Sequence, residues 1–141
     1  MNIELRSMDI NDYDQVYALW KNSEGLVLND DDSRECVRHF LERNPGLSFV
    51  ALAKGEIIAA ALCGHDGRHG YIHNLAVNSS HRRQGIGKSL VGRCMFELIK
   101  IGIHRCHLYV ESDNREGINF WKKLGWEHRV EMISMSQPLR P

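Results

Sequence analysis

The stretch RRQGIGKSL, Arg82 to Leu90, lies between a strand-like apolar run and a regular helical pattern. Gly87-Lys88-Ser89 has the ending of a nucleotide-binding P-loop, and Gly85 with Gly87 has the opening of a dinucleotide fingerprint. A P-loop also needs a glycine five residues before the G-K-S glycine, so that the backbone can curl round phosphates; Arg82 stands there. A dinucleotide fingerprint needs a third small residue for close helix–strand packing; Leu90 stands there. Both readings fail at a required position. What survives is a glycine-containing turn into a helix N-terminus, where free backbone N–H groups and the helix dipole favour an anion. His81, Arg82, Arg83 and Lys88 add positive charge around it. The alternative is an ordinary strand-to-helix turn with a solvated basic face.

Downstream, Ile86, Leu90, Cys94 and Leu98 recur every fourth residue with Val91 and Met95 beside them, which predicts a helix from Gln84 that Gly102 can end. HLYV follows as a strand, with Leu108 and Val110 on one face and His107 and Tyr109 on the other. Upstream, YIHNLAV alternates until the pattern slips: Ile72 is apolar, Asn74 is polar, and Leu75 and Val77 fall on the opposite parity. One extra residue, a β-bulge near His73–Leu75, would restore a single apolar face. Strand, helix and strand form a βαβ unit, whose strands run parallel through a right-handed crossover.

Outside this unit, IELRS reads as a short strand. Asp9 or Asn11 can cap a helix carrying Tyr13, Val16, Tyr17 and Trp20. The acidic run Asn29 to Ser33 leads to a second helix with Cys36, Val37, Phe40 and Leu41, which stops before Pro45-Gly46. SFVALA and IIAAALCG flank a Lys54-Gly55 turn as a buried antiparallel hairpin. Asp113 or Asn114 starts a last helix that ends at Gly125, and EHRVEMISM reads as a closing strand. The expected class is α+β: a mixed, mostly antiparallel sheet with a central βαβ unit and about four flanking helices, residues 1–141 forming one domain.

Composition narrows the function. Hydrophobic residues make up 43% and charged residues 26%, and 18 basic side chains balance 18 acidic ones at a pI near 7.1. That profile fits a soluble globular chain and argues against a nucleic-acid partner, which calls for a basic excess. No secretory signal or membrane-length apolar run is visible. Cys36, Cys63, Cys94 and Cys106 form no C-x-x-C pair and read as thiols in a reducing cytoplasm. His65, His69 and His73 have helical spacing, but Gly64, Gly67 and Gly70 deny them a helix, so no metal is expected.

HRRQGIGKSL resembles the R-x-x-G-x-G motif of the GNAT superfamily of N-acetyltransferases, with Arg82, Gly85 and Gly87 in the fixed positions. YIHNLAV upstream and NREGINFWKKLGW downstream extend the likeness, the latter being similar to the family's N-x-x-A-x-x-x-Y-x-K-x-G-F, and the element order fits throughout. The resemblance is to a small stand-alone member of bacterial type. It implies that the loop holds the pyrophosphate of acetyl-CoA through backbone amides of Arg83, Gln84, Gly85, Ile86, Gly87 and Lys88, in the field of Arg82. It implies that the strand ending Leu75-Ala76-Val77 splays from HLYV, so that the pantetheine arm lies beside it like an added strand. Asn114 matches the family asparagine that contacts the arm; a plain helix cap suits the position equally.

Acetyl transfer to an amine requires removal of a proton, donors for the tetrahedral oxyanion, and departure of a thiolate. Base candidates are His73 in the bulged strand and Glu111 just past HLYV, either of them able to act through water. The Val77 N–H can serve the oxyanion. Where the family carries a tyrosine as general acid, this chain has Trp121, which can donate a hydrogen bond but cannot deliver a proton. Ile118, Trp121 and Leu124 share a helical face, so Trp121 also reads as a core anchor, and Tyr109 or Tyr71 could supply a hydroxyl. Asp30 and Asp31 are candidates to attract a cationic acceptor, against a capping role for Asp32 or Ser33. Two functions follow: an acetyl-CoA:amine N-acetyltransferase, acting on a small molecule or a protein N-terminus, or an acyl-CoA-binding regulatory module without turnover. The sequence is compatible with a homodimer but selects no oligomeric state.

Overall fold

The computed structural model describes residues 2–140. Five strands pair in sequence order: β1 (Ile3–Ser7), β2 (Phe49–Ala53), β3 (Glu56–His65), β4 (Gly70–Val77) and β5 (Cys106–His107). The first four are antiparallel, and β4 with β5 is parallel. Helices α1 (Tyr13–Lys21) and α2 (Arg34–Arg43) supply the cover of one face, and α3 (Ile86–Lys100) and α4 (Arg115–Lys123) that of the other. Because both faces are covered, β2 and β3 read as continuous apolar runs. Phe49, Ala51 and Ala53 pack with α3, while Val50 packs with α1 and α2.

Acceptors for free amides stand at the start of α2, of α4 and of the turn before α1. Asp9 caps the short turn Ile10–Asp12 that leads into α1, Ser33 Oγ accepts from Cys36 N at 3.2 Å at the start of α2, and Asn114 Oδ1 accepts from Gly117 N at 3.0 Å at the start of α4. α3 differs, because its cap is Gly85 at φ 78°, with no side chain to offer.

The expected bulge is present. Leu62 pairs with His73 and Ala60 with Ala76, so β4 spends one more residue than β3 between the same two rungs. Asn74 carries the irregularity at φ 52°, a left-handed conformation that asparagine tolerates better than most residues. Ile72 before the bulge and Leu75 and Val77 after it consequently pack with the same core layer.

Two expectations need correction. HLYV was expected as a strand, but only Cys106–His107 pairs, with Gly70 and Tyr71; Leu108 to Val110 leave the sheet. The parallel pair separates as soon as β4 approaches its bulge. EHRVEMISM does not form a closing strand. Its donors find local acceptors instead, Val130 N at His128 O (3.1 Å) and Met132 N at Arg129 O (3.4 Å), and Arg129 Nε bonds Glu131 at 2.9 Å. Val130 and Met132 lie on one parity and Ile133 and Met135 on the other, so a ladder would bury only half of these exposed side chains.

Candidate active site

The β4 strand links two features. At its end lies the turn into α3, and beside its bulge lies a cavity of about 450 Å³. His73 and Val77 are four residue steps apart along the strand, roughly 13 Å at most.

At the turn, Arg83 (φ 63°) and Gly85 (φ 78°) are both left-handed, which coils the backbone before the helix. Ser89 N donates to Gly85 O at 3.0 Å and opens the helical ladder, so the amides of Ile86, Gly87 and Lys88 precede it without a capping side chain. The helix end thus leaves its first amides without a side-chain acceptor, the condition under which such an end can take an anion. Arg82 does not simply project into solvent: its Nε donates to the Val77 carbonyl at 3.3 Å and ties the loop to β4. The Ile86 side chain is buried in the α3 layer and the Ala76 side chain in the α1–α2 layer, so both can meet a ligand only through their backbone. Gly87 has a second task. A Cβ there would stand 3.1 Å from Phe120 Cζ and 3.6 Å from Val77 Cγ2, so its bareness lets β4, α3 and α4 converge.

The cavity is lined from α2, its preceding turn and the bulge by, among others, Asp31, Asp32, His39, Phe40, His73 and Asn74. His73 is half-buried between Tyr71, stacked at 6.1 Å, and Phe40, edge-on at 6.0 Å. Burial holds its imidazole below the usual histidine range, opposed only in part by the charge of Asp32. The ring therefore favours its neutral form at neutral pH, with a lone pair free to accept a proton. Of the two candidate acceptor ligands, Asp31 lines the cavity and Asp30 is absent from its lining.

Asp32 is a strut. Its Oδ2 accepts from Asn29 N at 3.0 Å and its Oδ1 from Asn74 Nδ2 at 2.7 Å, while its carbonyl accepts from Tyr13 Oη at 2.6 Å. Ser33 supplies the α2 cap. Sequence reading missed the Asp32–Asn74 bond, and also Phe40 and His39 as cavity residues. A polar residue at the parity slip was the one available signal, and 42 residues of separation hid its partner.

The remaining candidates scatter. Tyr109 is 71% exposed and Glu111 is exposed beyond the end of β5. Asn114 caps α4 and lies close against Gly25 and Gly117. Trp121 is half-buried against the α3 layer in an aromatic cluster, 5.1 Å from both Phe120 and Trp126. Among the described residues no group of three or more His, Cys, Asp or Glu side chains could hold a metal. In the same range no helix is long and apolar enough to cross a membrane.

The model of the acetyltransferase (GNAT) family matches residues 13–126, most of the chain and both of these features. The chain belongs to that family. Solved GNAT-fold structures superpose along most of its length. PaiA N-acetyltransferase from Thermoplasma acidophilum, in complex with coenzyme A, has a TM-score of 0.76 at 22% identity, over 87% of this chain and 88% of that one. A predicted acetyltransferase from Clostridium acetobutylicum, with acetyl-CoA, has 0.74 at 24% over 96% of each. The ribosomal-protein-S18-alanine N-acetyltransferase of Escherichia coli has 0.73 at 23%, over 88% and 77%. At such identities the likeness speaks to the fold: a mixed sheet, mostly antiparallel, with one parallel pair and four helices. Within this GNAT fold the splay of β4 from β5 lies between the anion-ready turn and the cavity.

Proposed function

We propose that this chain, as one domain, transfers the acetyl group of acetyl-CoA to a primary amine by direct attack. The observation that carries the reading is the bulge at Asn74, which opens β4 between an uncapped helix end and a cavity that presents Asp31 and a neutral histidine. The amides of Ile86, Gly87 and Lys88 would bind the pyrophosphate, and the edge of β4 past Tyr71 would receive the pantetheine arm as an added strand. These residues fit the cofactor, which when bound supplies an activated thioester.

Asp31 would hold the acceptor as a cation and lead it toward His73. An ammonium has no lone pair, so the reacting amine first gives a proton to neutral His73, directly or through water. The free amine then bonds the acetyl carbon, and the proton left on its nitrogen passes to water as the tetrahedral intermediate collapses. The C–S bond breaks and coenzyme A leaves as a thiolate, tolerable near neutral pH for a thiol of pKa about 8.5. No tyrosine acid is then required, and the packed position of Trp121 agrees with that. The acceptor is therefore a cationic primary amine on a small molecule or a peptide terminus, and the working compartment is a reducing cytoplasm.

The packing of Trp121 also suits a second reading, an acyl-CoA-binding module without turnover. Thiol release from acetyl-CoA, measured with alkyl diamines, an aminoglycoside and peptides with free N-termini, separates the two. Amine-dependent release with a stoichiometric N-acetyl product is the expected result. Tight acetyl-CoA binding with no release above the blank would establish the module.

A further inference from the structure

We propose that Asn74 is a positioning residue: by holding Asp32 it fixes the acidic turn Asn29–Ser33 against the bulged strand, so that Asp31 presents the acceptor amine to His73. The inference rests on the acetyltransferase reading above.

Asn74 is held at both of its polar ends. Its carbonyl accepts from Trp20 Nε1 at 3.1 Å, and Trp20 is almost wholly buried, so the bulge is anchored to α1. Its side-chain amide then reaches across the cavity wall to Asp32 Oδ1 at 2.7 Å. A left-handed residue next to His73 thus aims one amide at the turn that carries the acidic side chains. Asparagine suits both demands, since it tolerates this conformation and carries a donor.

The other end of the strut is equally committed. Both carboxylate oxygens of Asp32 are engaged, by Asn74 and by Asn29 N, and its carbonyl is held by Tyr13 Oη. Asp32 is therefore fixed in place, with one acceptor site of each oxygen already used. Asp31 stands beside it in the chain, with its amide fixed by Asn29 Oδ1 at 2.8 Å, and makes no ion pair among the described residues. The strut sets the spacing between the anchoring carboxylate and the base. A cavity wall displaced by about 1 Å can cost on the order of 10²-fold in a reaction that depends on approach geometry.

The bond can be reversed without being lost. In Asp32→Asn with Asn74→Asp, the residue at 32 can accept from Asn29 N with its carbonyl oxygen and donate through its amide to the carboxylate at 74. Aspartate also tolerates the left-handed conformation, and the net charge of the cavity is unchanged. The test measures steady-state kinetics with acetyl-CoA and three probes, 1,4-diaminobutane, neamine and an alanine-terminated peptide, with melting curves for every variant. Asn74→Ala should raise acceptor KM and lower kcat, by roughly 10–10²-fold in kcat/KM, while acetyl-CoA affinity stays within about twofold. Asn74→Asp alone should be worse, because two carboxylates then face each other. The double variant should recover to within about tenfold of wild type, which a merely structural loss would not do.

Turnover by wild type together with unaltered acceptor constants in Asn74→Ala would overturn the proposal. So would a folded double variant no better than Asn74→Asp. Wild type that binds acetyl-CoA but acetylates no amine overturns the acetyltransferase reading instead, and the positioning role falls with it.

Discussion

Trp121 meets Phe120 and Trp126 edge to face, an arrangement that adds attraction beyond the area it buries. A tyrosine there would fill less of the cluster and carry a hydroxyl toward an apolar layer. Trp121→Tyr should therefore lower stability by roughly 1–3 kcal/mol, read as a fall in melting temperature, with no gain in kcat. A clear gain in kcat at unchanged stability would make position 121 an acid site and refute the packing role. His73 sets a pH dependence of its own. Burial lowers its pKa, so it stays neutral until the pH falls below the ordinary value of about 6.5. The titratable and charged side chains that line the cavity around it are Asp31, Asp32, His39 and Arg43, and the charge of Asp32 moderates the shift without reversing it. The acid limb of the kcat/KM profile should lie below pH 6.5 and be lost in His73→Gln. Folding follows the same sign. Below pH 6.5 the unfolded chain binds a proton that the folded chain resists, so stability falls with pH until the folded pKa is passed. An acid limb at or above pH 7 would assign the base to another group.

At the scale of elements, the turn into α3 and the bulge in β4 do most to shape the site, and both were legible for the same reason. A bulge changes side-chain parity, and YIHNLAV shows that change in seven letters. A helix that starts on glycine after basic residues announces free amides just as locally. What escaped reading was non-local. Nothing in Asn74 names Asp32 as its partner, and nothing in EHRVEMISM shows that β5 would stop after two residues and leave it no ladder. Apolar residues on both parities in that segment were the one warning. Gly85 and Gly87 sit in one short motif for different physical reasons, and substitution can separate them. At Gly85 a side chain meets open space but must adopt φ 78°, which costs about 1–2 kcal/mol. At Gly87 the backbone is helical, and a Cβ presses on Phe120. Gly85→Ala should then disturb the loop and weaken acetyl-CoA binding, with a modest loss of stability. Gly87→Ala should force the α4 ring aside and shift melting as well as binding, and Gly87→Asp should weaken binding further by pressing a carboxylate into the contact with Phe120 and Val77 and adding negative charge beside the turn. Calorimetry that finds tight acetyl-CoA binding to Gly87→Asp would remove the pyrophosphate from this turn.

The whole molecule is neutral, with 18 basic and 18 acidic residues, yet its charge is sorted along β4. His81, Arg82, Arg83 and Lys88 surround the turn at the end of the strand, and Asp30, Asp31 and Asp32 form the turn that borders the cavity beside the bulge. A net charge of zero therefore conceals two local fields of opposite sign, one suited to an anionic cofactor and one to a cationic amine. Both should weaken with salt. Raising ionic strength from 0.1 to 1 M shortens the screening length from about 10 to about 3 Å, which removes the field of exposed side chains but leaves direct amide contacts. Acetyl-CoA affinity should thus fall severalfold and then level off, and the KM for a cationic acceptor should rise in parallel. Melting reports the first effect without any acceptor. At a ligand concentration near 100 times Kd, binding stabilises the folded chain by about 2.7 kcal/mol, and each tenfold loss of affinity removes about 1.4 kcal/mol of that. At roughly 3–5 °C per kcal/mol for a chain of this size, acetyl-CoA should raise the melting temperature by about 8–13 °C in low salt and visibly less in high salt. Lys88→Gln should reduce the salt dependence and keep part of the shift, because the amides remain. A thermal shift that is large and indifferent to salt would leave the basic cluster without a part in binding, and no shift at all would take the cofactor away from this turn.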